Sequence, residues 1–387
     1  MEMLKNQLRS LCIFRELLSD PVLASLMRYL AKPTIAEYSA FVSSLYEANG
    51  GNLGEHIKEI CTSSNNVFVR TAGSAQVIPG YMQQALEAEL TVLQSVTMLT
   101  KEALCKPLNY KGFLPDFTTT KLRLADIHLH RARNISKFGY GIYAKYRMFY
   151  VDGRDEIVPV LNPDRTELSQ LIDYDRERQI ILSNTKALLN GKPAANILLT
   201  GDAGTGKSST VKAVANSLWS DGLRLIEIRK DQLRAIPKVL DALSSNPLKF
   251  VLFIDDLSFL KDDDSFNALK AVLEGSVTAK SGNVVIYATS NRRHIIKESF
   301  SDREGDDVHR NDTMQEFMSL ADRFGIHVTF SKPNKATYLH IVHHLADAKG
   351  IGLPNEELDA LAERFALERG GRSARLAGQF IDGLLSK

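Results

Sequence analysis

The stretch that decides the fold of this chain is Gly201-Asp202-Ala203-Gly204-Thr205-Gly206-Lys207-Ser208, with Ser209 directly after it. It fits the phosphate-binding loop pattern G-x-x-x-x-G-K-[ST] at every fixed position, between an apolar run that predicts a strand and a segment that predicts a helix. Glycines let the backbone point its N–H groups at an anion. Lys207 supplies a charge for the β- and γ-phosphates, and the Ser208 hydroxyl is a ligand for Mg2+. The loop therefore predicts a nucleoside triphosphate site.

The composition is that of an ordinary globular protein. The chain has 387 residues, of which 44% are hydrophobic and 24% charged, and its net charge is +2. So small a surplus indicates neither nucleic acid nor an anionic membrane as a charge-driven partner. No apolar stretch reaches the roughly 18 residues of a membrane-spanning helix. The first residues lack a signal-peptide pattern, and three scattered cysteines predict neither disulfides nor a zinc site. We therefore expect a cytoplasmic protein that does not enter a membrane.

The first part of the chain has helical periodicity. Apolar residues recur at three- and four-residue intervals, which predicts an amphipathic helix ending near Pro21, where the chain stops or bends: Leu4, Leu8, Leu11, Phe14 and Leu18. A second long helix is predicted over about 82–104. We interpret residues 1–135 as a helical domain of unknown role. Residues 136–165, rich in Gly and Tyr, predict a connector with strand-like pieces that packs against the next domain; stacking on single-stranded nucleic acid is the alternative.

From residue 166 onward, strand and helix patterns alternate. Five short apolar runs, each too short for a helix, are separated by helical segments: 197–200, 223–228, 250–254, 284–288 and 326–330. This alternation predicts an α/β domain over 166–333, with a five-stranded parallel sheet and helices on both faces. Strand patterns stop after Pro333. Three helices are predicted over 334–387, and we expect them to form a helical lid.

A pair of carboxylates follows the third apolar run. A buried strand that ends in Asp255-Asp256 delivers both side chains to the edge of the sheet beside the phosphates. We expect Asp255 to hold hydrated Mg2+, and Asp256 to orient or deprotonate the attacking water. Aspartates are also common turn residues after strands. The phosphate loop upstream favours the catalytic interpretation.

Three further polar residues complete the predicted site. Asn291 ends the fourth strand, where an amide can contact the γ-phosphate and the water. Arg323 lies at the edge of the domain before the fifth strand, within reach of a neighbouring subunit. Arg375, or Arg372 three residues before it, can reach the nucleotide from the lid, and a guanidinium matches phosphate oxygens well. A strand end and surface salt bridges are the alternative interpretations of these residues.

In this order, the phosphate loop, acidic pair, strand-end Asn, edge Arg and lid Arg resemble the AAA+ ATPases over residues 166–387. The resemblance implies ATP and Mg2+ as ligands. It implies that Lys207, Asp256, Asn291, Arg323 and Arg375 are catalytic, with Arg323 acting in trans as the arginine finger and Asn291 and Arg375 as the two sensors. It also implies that Ser208 and Asp255 hold the metal and that Tyr174 contacts the adenine. Arg303 and Arg310 remain alternatives for the finger.

Within the AAA+ ATPases, the chain is most similar to an uncharacterised bacterial family of predicted ATPases, a domain of unknown function. The similarity rests on six stretches: 141–147, 171–177, 201–209, 255–259, 287–294 and 319–325. One residue departs from the common AAA+ pattern, because Asp256 stands where most members have Glu. Replication-initiator ATPases of the superfamily also have two aspartates and tend to act as slow switches, so we expect slow turnover.

The predicted function is that of an Mg-ATP-dependent AAA+ ATPase that assembles into a ring or an open oligomer. It would remodel or load a protein or nucleic-acid partner that the sequence does not identify. The alternative is a slow, ATP-operated binding switch or loader with little turnover of its own. A small-molecule kinase ranks last, because it explains neither the edge arginine nor the helical lid. The residues expected to hold ATP are Tyr174 and Gly201-Asp202-Ala203-Gly204-Thr205-Gly206-Lys207-Ser208-Ser209.

Overall fold

The computed structural model describes residues 1–74, 76–257, 264–274, 282–291 and 321–386, and gives the backbone alone for 264–266. The chain divides into two compact units. The first consists of Met1–Lys145 with Ser245–Leu248, and the second of Tyr146–Ser244 with Lys249–Lys387. Residues 136–165, expected to be a connector, are thus divided between the two units.

The first unit is helical, as the leucine periodicity predicts. Its helices are α1 (Glu2–Arg9), α2 (Pro21–Ala31), α3 (Ile35–Asn49), α4 (Leu53–Thr62), α5 (Val67–Gly73), α6 (Gly80–Val96), α7 (Lys101–Cys105), α8 (Leu124–Arg133), α9 (Ile135–Phe138) and α10 (Ile142–Lys145). They surround a core of leucines and aromatic residues that includes Phe14, Tyr29 and Phe41.

Three helix boundaries differ from the sequence prediction. The first helix, α1, ends at Arg9 and not near Pro21. Pro21 begins a helix instead of only interrupting one: it is the first residue of α2, and the Asp20 side chain caps that helix by accepting from the N–H groups of Val22 and Leu23. Proline suits this position because the first helical N–H has no partner within the helix. The helix predicted over 82–104 is two helices. α6 ends at Val96, and Thr100 caps α7, since a threonine side chain satisfies exposed N–H groups at a helix start.

A buried carboxylate joins α6 to the segment after α1. Glu89 is only 8% exposed. Its two oxygens accept hydrogen bonds from the backbone N–H groups of Cys12, Ile13 and Phe14 at 2.8, 3.0 and 2.9 Å. Bonds to a charged acceptor are stronger than bonds between neutral groups. Glu89 therefore satisfies three N–H groups that would otherwise be unpaired and fixes the path of the chain between α1 and α2.

The second unit contains one mixed sheet and its flanking helices. The strands are β1 (Met148–Val151), β2 (Ile157–Pro159), β3 (Ile197–Gly201), β4 (Leu223–Glu227), β5 (Lys249–Ile254), β6 (Val284–Ser290) and β7 (Ile326–Phe330). The helices among them are α11 (Asp175–Leu189), α12 (Lys207–Ser217), α13 (Ile236–Leu243) and α14 (Asp264–Glu274). The predicted α/β fold class with a parallel sheet is confirmed.

The described sheet has seven strands, two more than predicted. Its order is β2-β1-β4-β5-β6-β3-β7. The five predicted strands are all parallel to their neighbours, and β1 extends them in parallel beside β4. Only β2 runs antiparallel, in a hairpin with β1. The two additional strands come from the expected connector. They are four and three residues long, too short for alternation of polar and apolar residues to be recognised.

Strand order determines which loops meet. Counted along the chain, the five predicted strands stand in the order 5-1-4-3-2, so β3 lies between β6 and β7, and β6 lies between β3 and β5. Ile254 pairs with Ala288, and Thr200 with Ser290. The phosphate loop after β3, the acidic pair after β5 and Asn291 after β6 therefore meet at one edge. Carboxyl ends of parallel strands are where such sheets bind ligands.

Three helices form the predicted lid, as α15 (Lys335–Ala348), α16 (Asn355–Glu368) and α17 (Ala374–Leu385). They enclose a small core that includes Tyr338, Val342, Ala362 and Ile381. None of the helices in the described part of the chain combines the length and the apolar character that crossing a lipid bilayer requires.

The buried carboxylate of the first unit provides a stability test. We expect Glu89→Gln to lower the free energy of unfolding by about 2 kcal/mol, because the new amide group turns a donor toward backbone donors. The control is Glu87→Gln, an exposed position on the same helix. Chemical denaturation of the full chain, followed by circular dichroism, measures the difference. Equal midpoints for the two variants would contradict this role of Glu89.

Candidate functional site: a phosphate loop facing an acidic strand end

The phosphate loop connects β3 to α12, and its glycines have positive φ. Gly201 has φ of 143°, and a Cβ atom there would lie 2.0 Å from the carbonyl oxygen of Phe330 on the neighbouring strand. Gly206, at φ of 91°, is the residue before the first turn of α12. Neither conformation suits a residue with a side chain. The loop consequently turns sharply and begins α12 with its N–H groups at the cavity.

Lys207 is buried at the base of the loop, with 7% of its surface exposed. Its Nζ donates to the carbonyl oxygens of Gly201 and Asp202, each at 2.8 Å, and to Oδ1 of Asn291 at 3.2 Å. Burial lowers the pKa of Lys207 below the usual lysine value, because the ammonium loses hydration, while nearby aspartates oppose this shift. The oxygens that hold the ammonium are neutral, so the negatively charged oxygens of a phosphate can replace them.

The Asp255 carboxylate joins three chain segments. Its Oδ1 accepts a hydrogen bond from Ser208 Oγ at the start of α12, at 2.6 Å, and from Thr289 Oγ1 at the end of β6, also at 2.6 Å. A hydroxyl and a carboxylate in contact form the all-oxygen donor set that Mg2+ prefers. Ser208 and Asp255 therefore fit the metal predicted for this position.

Asp256 and Asn291 face each other across the ends of β5 and β6. Asn291 Nδ2 donates to Asp256 Oδ1 at 3.1 Å, while the amide oxygen of the same side chain accepts from Lys207. Asp256 has φ of 52°, in the left-handed region. The strand-end amide thus links the loop lysine to the second carboxylate.

An apolar wall lies beside the loop. Tyr174 precedes α11 and lines the cavity with Leu171, Ile172 and, from α15, Ile341 and Leu345. The Tyr174 hydroxyl donates to the carbonyl oxygen of Ser331 at 2.6 Å, and its ring lies 5.2 Å from that of Phe330. Burial raises the pKa of Tyr174 to about 12. The phenol is therefore a neutral, fixed surface of a kind that suits a flat base.

The structure distinguishes the two candidate arginines of the lid. Arg372 donates to both carboxylate oxygens of Glu363, at 2.8 and 2.5 Å, and so contacts another lid residue. Arg375 lines the cavity, and its backbone N–H donates to the carbonyl oxygen of Gly204 at 3.2 Å. Of the two, it is Arg375 that contacts the phosphate loop.

Arg323 does not line this cavity. Its guanidinium pairs with Glu274, the last residue of α14. The alternatives for the finger, Arg303 and Arg310, lie outside the described residues, as do Ser258, Phe259 and residues 292–294 and 319–320 of the stretches on which the family resemblance rests. The role of Arg323 as a residue that acts on another subunit therefore stays a prediction.

The remaining candidates meet in one cavity of about 730 Å³. Of the residues predicted to bind or act on ATP, the cavity is lined by Tyr174, Ala203, Gly204, Thr205, Gly206, Lys207, Ser208, Ser209, Asp255, Asp256, Asn291 and Arg375. Gly201 and Asp202 contribute the carbonyl oxygens that hold Lys207. Sequence reasoning missed Thr289, whose position two residues before Asn291 on the same strand was the available signal.

Comparison with known proteins identifies a family. Residues 144–387 match the family described as "Protein of unknown function (DUF815)". The Holliday junction branch migration motor RuvB of Thermotoga maritima is similar at 16% identity and a TM-score of 0.39, over 57% of this chain and 64% of RuvB. A mutant of RuvB gives 15% identity and a TM-score of 0.40, over 57% and 65%. Either match spans less than two thirds of RuvB. No protein of curated function matches the chain.

The family match covers the sheet, the lid and every candidate site residue named above. The phosphate loop, the five parallel strands and the C-terminal helical lid agree with the predicted fold class. The chain therefore belongs to the DUF815 family, and its fold combines a phosphate-loop α/β domain and a helical lid with a helical unit earlier in the sequence, as the AAA+ resemblance implies.

Proposed function

We propose that this protein is an AAA+ ATPase that binds Mg-ATP in the cavity between the sheet edge and the lid and hydrolyses it. One observation supports the proposal above others: five polar residues from three separate strand ends meet in a single cavity of about 730 Å³. They are Lys207, Ser208, Asp255, Asp256 and Asn291. Their chemistry is that of phosphoryl transfer, in which catalysis consists of positioning and charge stabilisation.

Each side of the cavity suits one part of the nucleotide. The loop N–H groups and Lys207 bind the phosphates, and the lid residue Arg375 approaches the same loop. The wall that includes Tyr174 receives the adenine. Ser208 and Asp255 would hold Mg2+, which when bound neutralises negative charge on the phosphate oxygens. Asp256 accepts a proton from the attacking water or orients it, and the Asn291 amide holds Asp256 in place.

Arg323 acts in trans from a neighbouring copy of the chain. Its position outside the cavity, on the segment before β7, supports this role. An interface of this head-to-tail kind closes into a ring or stays open, according to the rotation between copies. The partner that the ATPase loads or remodels is a protein or a nucleic acid. Turnover then depends on assembly.

A slow ATP-operated switch is the second candidate, and the second acidic residue favours it. Asp256 stands where most AAA+ proteins have Glu, and the Asn291 amide donates to its carboxylate. AAA+ proteins with two aspartates tend to act as slow switches. The two candidates differ in whether assembly alone, or only a partner, raises turnover.

Loss of the loop lysine tests nucleotide binding. We expect Lys207→Ala to weaken ATP binding about 10- to 100-fold, because a charge-assisted bond to phosphate is lost. The control is Lys212→Ala on the same helix, where the lysine pairs with Glu227 and does not line the cavity. Calorimetric titration with ATP measures both affinities. Equal affinity for the two variants would exclude Lys207 from the phosphate site.

The acidic residue after Asp255 tests hydrolysis separately from binding. We expect Asp256→Asn to bind ATP as the wild type does and to lose most turnover, because an amide cannot accept the proton from water. ATP affinity and phosphate release are measured on the same preparation across a range of protein concentrations. Unchanged phosphate release would exclude Asp256 from the reaction.

Mixing two inactive variants tests catalysis in trans. We expect Arg323→Ala to bind ATP normally and to have little turnover. Combined with Asp256→Asn, it should regain activity, because some interfaces then join an intact Asp256 to an intact Arg323 from the other chain. Arg229→Ala, an exposed arginine paired with Asp231, is the control and should be active alone. A mixture as inactive as its components would contradict an active site shared between subunits.

A further inference from the structure

The end of β6 is hydrogen-bonded to the turn that follows β5. The N–H of Asp256 donates to Thr289 Oγ1 at 2.9 Å, and the N–H of Leu257 donates to the Thr289 carbonyl oxygen at 2.7 Å. Ser290 Oγ donates to the Leu257 carbonyl oxygen, also at 2.7 Å. Thr289 and Ser290 are 2% and 1% exposed. These two residues, here called the β6 clamp, bond to three backbone groups of the turn.

The Thr289 hydroxyl has two roles in this clamp. It donates its proton to Asp255 Oδ1 at 2.6 Å and accepts from the N–H of Asp256 at 2.9 Å. It is therefore in contact with the proposed metal carboxylate and with the backbone of the proposed catalytic carboxylate. A hydroxyl can donate and accept at once, whereas a methyl group of the same size can do neither.

The turn held by the clamp is in an unusual backbone conformation. Asp256 has φ of 52°, and among the described residues other than glycine only four more have positive φ: Asn109, Asp155, Asp173 and Tyr174. A residue with a Cβ atom remains in this region only where its surroundings hold it there. At Asp256 those surroundings are Thr289 Oγ1 and Asp255 Oδ1, which both accept from its N–H, the latter at 3.1 Å.

The same conformation gives a reason why Asp256 stands where most AAA+ proteins have Glu. Asn and Asp tolerate the left-handed region better than residues with longer side chains. With the backbone turned this way, the Asp256 carboxylate already reaches Asn291 Nδ2 at 3.1 Å. The longer side chain of Glu is not needed to make this contact. Glu also adopts the left-handed conformation less readily than Asp.

We propose that Thr289 is a positioning residue for ATP hydrolysis in this protein. Its hydroxyl orients the carboxylate of Asp255 and holds Asp256 in the left-handed conformation that directs the second carboxylate at Asn291. Thr289 acts through these two aspartates and not on the nucleotide. The inference rests on the proposed ATPase function and deepens it.

Thr289→Val tests the proposal, because valine keeps the shape of threonine and removes the hydroxyl. We expect ATP turnover to fall about 10- to 100-fold, the effect of misplacing a catalytic group. ATP affinity measured with EDTA should stay within about twofold of the wild type, because the loop and Lys207 are unaffected. Thr289→Ser keeps the hydroxyl and should retain most of the turnover. A merely structural role would lower affinity and turnover together.

A second readout needs neither nucleotide nor metal. Amide hydrogen exchange of Asp256, measured on the full chain, should be at least about tenfold faster in Thr289→Val and unchanged in Thr289→Ser, because the amide loses the nearer of its two acceptors. If Thr289→Val does not fold, Thr289→Ala offers the same comparison with a smaller side chain. Asp256→Glu should also turn over ATP more slowly than the wild type, although it keeps a carboxylate.

The outcomes separate this inference from the function on which it rests. If the wild type hydrolyses ATP and Thr289→Val is equally active, the role of Thr289 is overturned and the ATPase proposal stands. A wild-type chain that binds ATP but never hydrolyses it, assembled or not, overturns the ATPase proposal and the catalytic part of this one. Unchanged exchange of the Asp256 amide in Thr289→Val contradicts the clamp itself.

Discussion

The contact on which the site depends is the double hydrogen bond to Asp255 Oδ1. Ser208 approaches it from the start of α12 and Thr289 from the end of β6, both at 2.6 Å. These three segments are far apart in sequence and meet because β6 lies between β3 and β5 in the sheet. Moving β3 or β5 away from β6 would separate the phosphate loop from the carboxylates. The strand order therefore determines which side chains meet, and the hydrogen bonds fix the orientation of those side chains.

Polar groups in this site satisfy one another. A buried polar group without a partner costs about 1–3 kcal/mol, whereas a paired one contributes only about 1 kcal/mol net. Lys207 shares its protons among two carbonyl oxygens and the Asn291 amide, and Asn291 in turn bonds to Asp256. The side chains of Lys207, Asn291 and Asp256 therefore hold one another in place.

The left-handed backbone at Asp256 ties a feature of the sequence to a feature of the fold. Read along the chain, the second aspartate is only a shorter acid than most AAA+ proteins have. In the structure it is the residue type that suits φ of 52°, and the end of β6 provides the bonds that hold it there. Asp256 and Thr289 therefore depend on each other, although neither pattern predicts the other.

Local chemistry in the sequence determined much of this protein. The glycines and Lys207 of the loop, the five apolar runs and the helical periodicity of the first unit and the lid are local patterns, and they predicted the α/β fold class and most of the cavity. Only the tertiary structure decided which side chains meet. It paired Arg372 with Glu363 and turned Arg375 toward the loop, joined β1 and β2 to the sheet, and brought Thr289 to Asp255. The reason is physical: periodicity reports which face of a segment is buried, whereas contacts between segments depend on strand order and register, which a single segment does not contain.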